Sequence, residues 1–192
     1  MSEQNASQAR TVNTTERSGK ADVSSLVLLA VLLAAGFILN MTVGNALAIV
    51  GIKPQFIIAS YALAILLSNA GFGQAAIFGL VSAAVIQLTT SIPGLNFATE
   101  LVAALVMAAL IRRPLKVGGR DVTPLVATFA TTLVSGALFA VAGTLFAVAG
   151  TLIMGAALGT VVVKIPLVLG TAVFNAVVVQ ALYFPLKKVL KK

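Results

Sequence analysis

Lys53 and Glu100 are isolated ions, one on each side of about two membrane-crossing lengths of uncharged, apolar sequence. Ionised side chains are costly beside hydrocarbon, so each demands a partner or a ligand. An ammonium group binds a carboxylate and a carboxylate binds an ammonium group, so together the pair suits a zwitterion. Asn96, Thr89 and Thr90 lie close by in sequence and offer hydrogen bonds. Lys164 is a third isolated ion, and Asn175 is a polar outlier within the last apolar run, with Gln180 beyond it. A plainer reading stands beside this one. Lys53 and Lys164 then snorkel to an interface, and Glu100 pairs with one of them merely to fix helix packing. Asn175 then contributes an interhelical hydrogen bond of about 0.6–2 kcal/mol. Phe56, Tyr61, Phe97 and Phe174 either stack on an aromatic ligand or fill the interior.

The composition limits what can position these groups. Hydrophobic residues make up 59% of the 192 positions and charged residues 9%, against about a quarter charged in soluble domains. Apolar runs longer than about 18 residues recur, which predicts an integral membrane protein of helices. The alternation of a membrane barrel is absent. The formal charge of +8 gathers in the N-terminal tail, one middle loop and the C-terminus, a pattern that reports orientation rather than nucleic-acid binding. The chain has no Cys and no His, which removes thiol chemistry, the commonest metal ligand and the commonest general base.

In chain order, residues 1–23 read as a disordered polar cytoplasmic tail carrying Arg10, Arg17 and Lys20. Residues 24–186 read as a compact bundle of six transmembrane helices, and residues 187–192 as a basic cytoplasmic C-terminus. The first helix is expected over residues 24–43. A loop then covers 44–54, with Pro54 in the first turn of a second helix that reaches about Asn69. Gly71 and Gly73 mark a turn, a third helix runs to about Thr90, and Ile92-Pro93-Gly94 breaks it. A fourth helix covers about 96–111. Arg112, Arg113, Lys116 and Arg120 form a basic loop in which Pro114 and Gly118-Gly119 stop any helix.

The following 42 uncharged residues, 122–163, would span about 63 Å as a helix, twice the hydrocarbon thickness. Two spans would put the C-terminal lysines outside, against the positive-inside rule. One span plus a long apolar connection, softened by Gly150, Gly155 and Gly159, keeps every basic cluster on one side with both termini inside. Within it Leu138-Phe139-Ala140-Val141-Ala142-Gly143-Thr144 recurs identically from Leu145 to Thr151, a seven-residue repeat. It offers small residues for close helix packing, or is a local duplication. The last helix is expected over 165–184. This topology puts Lys53, Asn96, Glu100 and Lys164 toward the outer face.

No enzyme is expected. There is no Walker-type phosphate loop, no His or Cys, and Glu100 is the sole acid inside an expected span. No metal site is expected either.

Several short motifs together resemble a known family. They are Ala30-x-x-x-Ala34, Gly51-Ile52-Lys53-Pro54, Leu88-Thr89-Thr90 followed by Pro93 and Asn96, Phe174-Asn175, and Tyr183-Phe184-Pro185. In order and spacing they resemble the substrate-binding (S) component of an energy-coupling-factor (ECF) transporter, tryptophan-transporter type, over roughly residues 26–190. The resemblance implies a six-helix bundle in the cell membrane with a ligand pocket near the outer face. It implies no cofactor bound by this chain, with ATP used by partner subunits. Those partners are a transmembrane coupling subunit, for which Ala30 and Ala34 would form the docking surface, and two cytoplasmic ATPase subunits. Tryptophan or a related aromatic amino acid would be the ligand, with Lys53 on its carboxylate, Glu100 on its ammonium, and Asn96 and Asn175 orienting it. The sequence departs from the family at Thr99-Glu100, where an acidic–basic pair is common, and in the long apolar stretch before Lys164. A different nutrient, vitamin or other amino acid, and a non-transporting structural or assembly subunit stay open as alternatives.

Overall fold

A computed structural model describes residues 22–49, 53–90, 92–151 and 154–190, without the side chains of residues 146–151 and 154–160. The polar tail up to Ala21, Gly51 and Ile52 of the Gly-Ile-Lys-Pro motif, and the last two lysines lie outside the described residues. Helices dominate: α1 (Val23–Leu39), α2 (Asn45–Ala48), α3 (Phe56–Ser68), α4 (Phe72–Ile86), α5 (Leu95–Leu110), α6 (Thr123–Thr151) and α7 (Met154–Leu190). A π-helical segment, Asn40–Gly44, joins α1 to α2, so these form one continuous rod and six rods in all among the described residues.

Three stretches are long and apolar enough to cross a membrane: Val23–Ala48, Thr123–Leu145 and Val161–Leu190. Their outward faces carry exposed Val27, Val31, Ile38, Val173 and Val177, apolar surface that water-soluble chains rarely leave open in such extent. The other three helices are shorter, at 13, 15 and 16 residues, or about 20–24 Å of rise. α3 is hydrophobic all round and buried from Phe56 to Leu66, as befits a helix in the centre of a bundle. α1, α4, α5, α6 and α7 all pack against it.

Close crossings set the geometry. At Gly36 on α1, an added Cβ would lie 2.9 Å from the carbonyl oxygen of Phe56. At Gly79 on α4, it would lie 2.7 Å from the carbonyl oxygen of Glu100 and 2.8 Å from the Cβ of Ala104. Only a residue without a side chain permits these approaches.

Several boundaries differ from the expected ones. The loop expected from residue 44 starts later, because the helix continues to Ala48. Gly44 does not stop it: the residue keeps ordinary helical angles, φ -60° and ψ -45°. A Cβ there would make only ordinary contacts, 3.5 Å from Asn40 Oδ1 and 3.6 Å from the Pro54 carbonyl. Thr42 and Asn45 donate back to the carbonyls of Ile38 and Met41 at 2.7 and 2.9 Å, occupying acceptors in the distorted turn. Pro54 stands before Gln55, the N-cap of α3, rather than in the first helical turn. Gly73 lies inside α4, which ends at Ile86 in tight turns rather than at Thr90.

The basic loop contains a small hairpin. Strands β1 (Lys116–Val117) and β2 (Arg120–Asp121) pair antiparallel through Gly118-Gly119, whose φ values of +57° and +78° are those of a two-residue turn matching strand twist. The apolar connection expected before Lys164 is not a loop. α6 runs through Gly150 to Thr151 and α7 begins at Met154, passing helically through Gly155, Gly159 and Pro166. In a run free of charge and rich in Ala and Val, the helix is what satisfies backbone groups that apolar surroundings would otherwise leave unpaired.

The molecule has two distinct ends. At one, Gln74 hydrogen-bonds Ser25, the Arg112 guanidinium sits 3.9 Å over the Phe72 ring, and Gln180 donates to the Asp121 carbonyl at 3.0 Å. Arg112, Arg113, Lys116 and Arg120 belong to this end, as do Lys187 and Lys188 in the last turn of α7. Lys53, Glu100 and Lys164 belong to the other.

Candidate functional site

A cavity of about 310 Å³ opens at the end away from the basic hairpin. Lys53, Thr89, Thr90, Asn96, Glu100 and Lys164 all line it, so six of the seven nominated ligand-binding positions meet in one place. Lys53 is exposed and Lys164 half-buried, which puts the two ammonium groups toward the mouth. Glu100 and Asn96 are 2% and 4% exposed.

α5 delivers the two buried groups. Pro93 and Gly94 (φ +84°) turn the chain after α4, and α5 starts at Leu95. Asn96 and Glu100 then fall one turn apart on the face that also buries Ala103, Ala104 and Met107. Gly79 lets α4 press against the Glu100 backbone, which fixes how deep that face sits.

Glu100 accepts hydrogen bonds from hydroxyl groups on three helices: Tyr61 (2.9 Å, α3), Ser135 (2.5 Å, α6) and Thr99 (3.3 Å, its own α5). An ionised carboxylate has about four acceptor positions, so one stays available to the cavity. These donors stand where an ion pair with Lys53 or Lys164 was the plainer expectation for this side chain. They counter part of the cost of burying the carboxyl group without spending either lysine.

Asn96 is different. Its Nδ2 is buried and has no hydrogen-bond partner among the described residues. A buried amide donor left unmade costs about 1–3 kcal/mol, and because Asn96 lines the cavity, an acceptor bound there would satisfy it.

Thr89 and Thr90 occupy the turn after α4. The Thr89 hydroxyl donates to the Ile86 carbonyl at 3.2 Å, and the Thr90 hydroxyl accepts from the Ile92 amide at 3.4 Å. Both are engaged locally while bordering the cavity.

Asn175 does not line the cavity. It is fully buried beneath it, and its Nδ2 donates to the Gln55 carbonyl at 3.1 Å and to Thr132 Oγ1 at 3.3 Å. The four aromatic residues considered for stacking are elsewhere too. Phe56 and Phe174 pack edge to face on each other, with centroids 5.7 Å apart. Tyr61 is buried behind Glu100, and Phe97 is exposed. The aromatic ring in the wall is Phe139 of α6.

Further wall residues carry signals that sequence reading passed over. Asn40, Met41 and Asn45 come from the distorted end of the first rod, where Gly44 had suggested a loop. Thr132, Ser135 and Phe139 lie at steps of three and four, on one face of α6. That spacing of hydroxyls was visible in the sequence. Gln55 and Thr171 complete the polar part of the wall. Ala30 and Ala34 are exposed on the outward face of α1.

No protein-family model, curated protein or solved structure matches this chain. Its functional reading therefore rests on the geometry of the cavity and the chemistry of its wall.

Proposed function

We propose that this chain is the membrane-embedded substrate-binding subunit of an ECF-type importer, taking up tryptophan or a related aromatic amino acid. The observation that carries the reading is one cavity whose wall combines two ammonium groups, a buried carboxylate and the orphaned Asn96 amide. A ligand carboxylate meets Lys53 and Lys164 at the mouth, its ammonium takes the open acceptor of Glu100, and Asn96 donates to an oxygen. Phe139 offers one aromatic face. The cavity volume lies near the lower end of the roughly 300–1,000 Å³ typical of small-molecule sites, in keeping with a ligand the size of one amino acid.

In this reading all six rods cross the cell membrane, the short ones sheltered by their neighbours. The basic end faces the cytoplasm together with both termini, as the positive-inside rule requires, and the cavity opens outward. The chain performs no catalysis and binds no cofactor. A transmembrane coupling subunit docks at the exposed Ala30 and Ala34, where small side chains allow close helix approach, and two cytoplasmic ATPase subunits supply the energy.

A second reading keeps the transport role and changes the ligand. Among the described residues Phe139 is the lone aromatic side chain in the wall, which favours a smaller or non-aromatic nutrient over a ring sandwiched on both faces.

Purification of the tagged chain from native membranes tests the transport role. Co-purification of two ATPases, with ATP-dependent tryptophan uptake by the reconstituted complex, supports it. A chain that purifies alone and supports no uptake of any amino acid or vitamin returns the reading to a structural membrane subunit.

A further inference from the structure

We infer that Thr171 and Asn175 of α7 are positioning residues for the cationic mouth of the cavity, acting on Lys53 through the backbone of residues 53–55. The inference deepens the ligand-binding reading above and rests on it for its functional meaning.

Lys53, Pro54 and Gln55 form a non-helical segment immediately before α3. Pro54 is buried and has no N–H to anchor it. The anchors come from α7 instead. Thr171 Oγ1 donates to the Lys53 carbonyl at 2.9 Å, and Asn175 Nδ2 donates to the Gln55 carbonyl at 3.1 Å. Two side chains one helical turn apart thus hold the carbonyls on either side of the proline.

The same face of α7 carries Lys164. Positions 164, 171 and 175 are separated by seven and four, which aligns them along one stripe of the helix. α7 therefore supplies one mouth lysine directly and fixes the backbone from which the other extends. Asn175 also reaches Thr132 on α6, one turn before the Ser135 that donates to Glu100. The segment bearing Lys53 and the carboxylate at the cavity floor are thereby referred to the same pair of helices. The Phe56–Phe174 contact packs beside this junction.

A lysine side chain has four rotatable bonds and no shape of its own. Where its ammonium can reach is decided by where its Cα is held, so a loss of either anchor relaxes the mouth without touching the charge. A purely structural pair of hydrogen bonds would instead lower stability and leave the ligand's contact with Lys53 unchanged.

The test uses the full-length purified chain with L-tryptophan as probe, read by titration calorimetry, and amine-reactive labelling of lysines read by mass spectrometry. Thr171→Val keeps the shape and removes the donor. It is expected to weaken L-tryptophan binding about three- to tenfold, and Thr171→Ser to restore it. In a Lys53→Ala background the same Thr171→Val change is expected to have an effect below about twofold, because the two act through one contact. Labelling of Lys53 is expected to rise by about twofold or more in Thr171→Val and in Asn175→Leu as the segment opens locally, with Lys187 and Lys188 as unchanged internal references. Should Thr171→Val not fold, Thr171→Ala carries the same readouts.

If wild type binds L-tryptophan but Thr171→Val alters neither affinity nor Lys53 labelling, the inference is overturned. An equal loss of affinity with and without Lys53 also overturns it, by showing that Thr171 touches the ligand itself. If wild type binds neither L-tryptophan nor any other amino acid, the proposed function fails, while the labelling of Lys53 still decides the positioning role.

Discussion

Tyr61 and Glu100, 39 positions apart in sequence, meet in the interior through a 2.9 Å hydrogen bond from the phenol to Oε2. With Ser135 and Thr99 on the other carboxylate oxygen, Glu100 is held by hydroxyls on three helices and keeps its place at the cavity floor without an ion pair among the described residues. Removing one donor should be felt as stability. Tyr61→Phe is expected to cost about 1–3 kcal/mol, seen as a lower unfolding temperature in detergent. An unchanged unfolding temperature would mean that this bond does not hold the carboxylate.

The crossing of α4 and α5 should be intolerant of a single methyl group. Gly79→Ala places a Cβ 2.7 Å from the Glu100 carbonyl oxygen, and overpacking of this kind costs about 1–3 kcal/mol. Gly71, with nothing within 4 Å of its Cβ position, provides the contrast. Gly71→Ala is expected to stay within about 0.5 kcal/mol of wild type. Equal unfolding temperatures for the two variants would contradict the crossing.

The hairpin in the basic loop makes a different demand. Gly118 and Gly119 occupy positive φ, so Gly118→Ala and Gly119→Ala are each expected to cost about 1–2 kcal/mol. The cavity lies at the other end of the molecule, and ligand affinity should not move. A parallel loss of affinity in calorimetry would show that the two ends are coupled.

The absence of cysteine makes the six-span topology directly testable. Single cysteines in place of Lys116 and Lys188 are expected to react with a membrane-impermeant maleimide only from the cytoplasmic side. One in place of Leu88 is expected to react only from outside. Labelling of Leu88→Cys and Lys116→Cys from the same side would rule out six spans with cytoplasmic termini.

Much of the site was legible because charge in an apolar chain is conspicuous. Lys53, Glu100 and Lys164 stand out by rarity, and the alternation of apolar helices and breakers was enough to expect them and Asn96 at one end, where all four line the cavity. What the sequence hid depends on packing. Gly44 reads as a stop, yet it adopts ordinary helical angles and the helix continues through it to Ala48. Asn175 reads either as a ligand group or as an interhelical hydrogen bond; its partners are Thr132 on α6 and the carbonyl of Gln55, 120 positions earlier, which no local pattern announces. The hydroxyls around Glu100 come from α3, α5 and α6, and no local pattern links Tyr61 to Ser135. The helices over residues 123–151 and 154–163 were obscured for a simpler reason. Each glycine costs a helix about 1 kcal/mol relative to alanine, less than the cost of leaving backbone groups unpaired among apolar neighbours.

The central claim is that Lys53 and Glu100 bracket a ligand in one cavity. Titration calorimetry of L-tryptophan against the purified wild-type chain and against the Lys53→Ala/Glu100→Ala double variant tests it most directly. The account predicts saturable binding by wild type and a loss of at least about a hundredfold in the variant, from two charge-assisted contacts of about 1.5–3 kcal/mol each. Wild-type affinity retained in a folded double variant would contradict it.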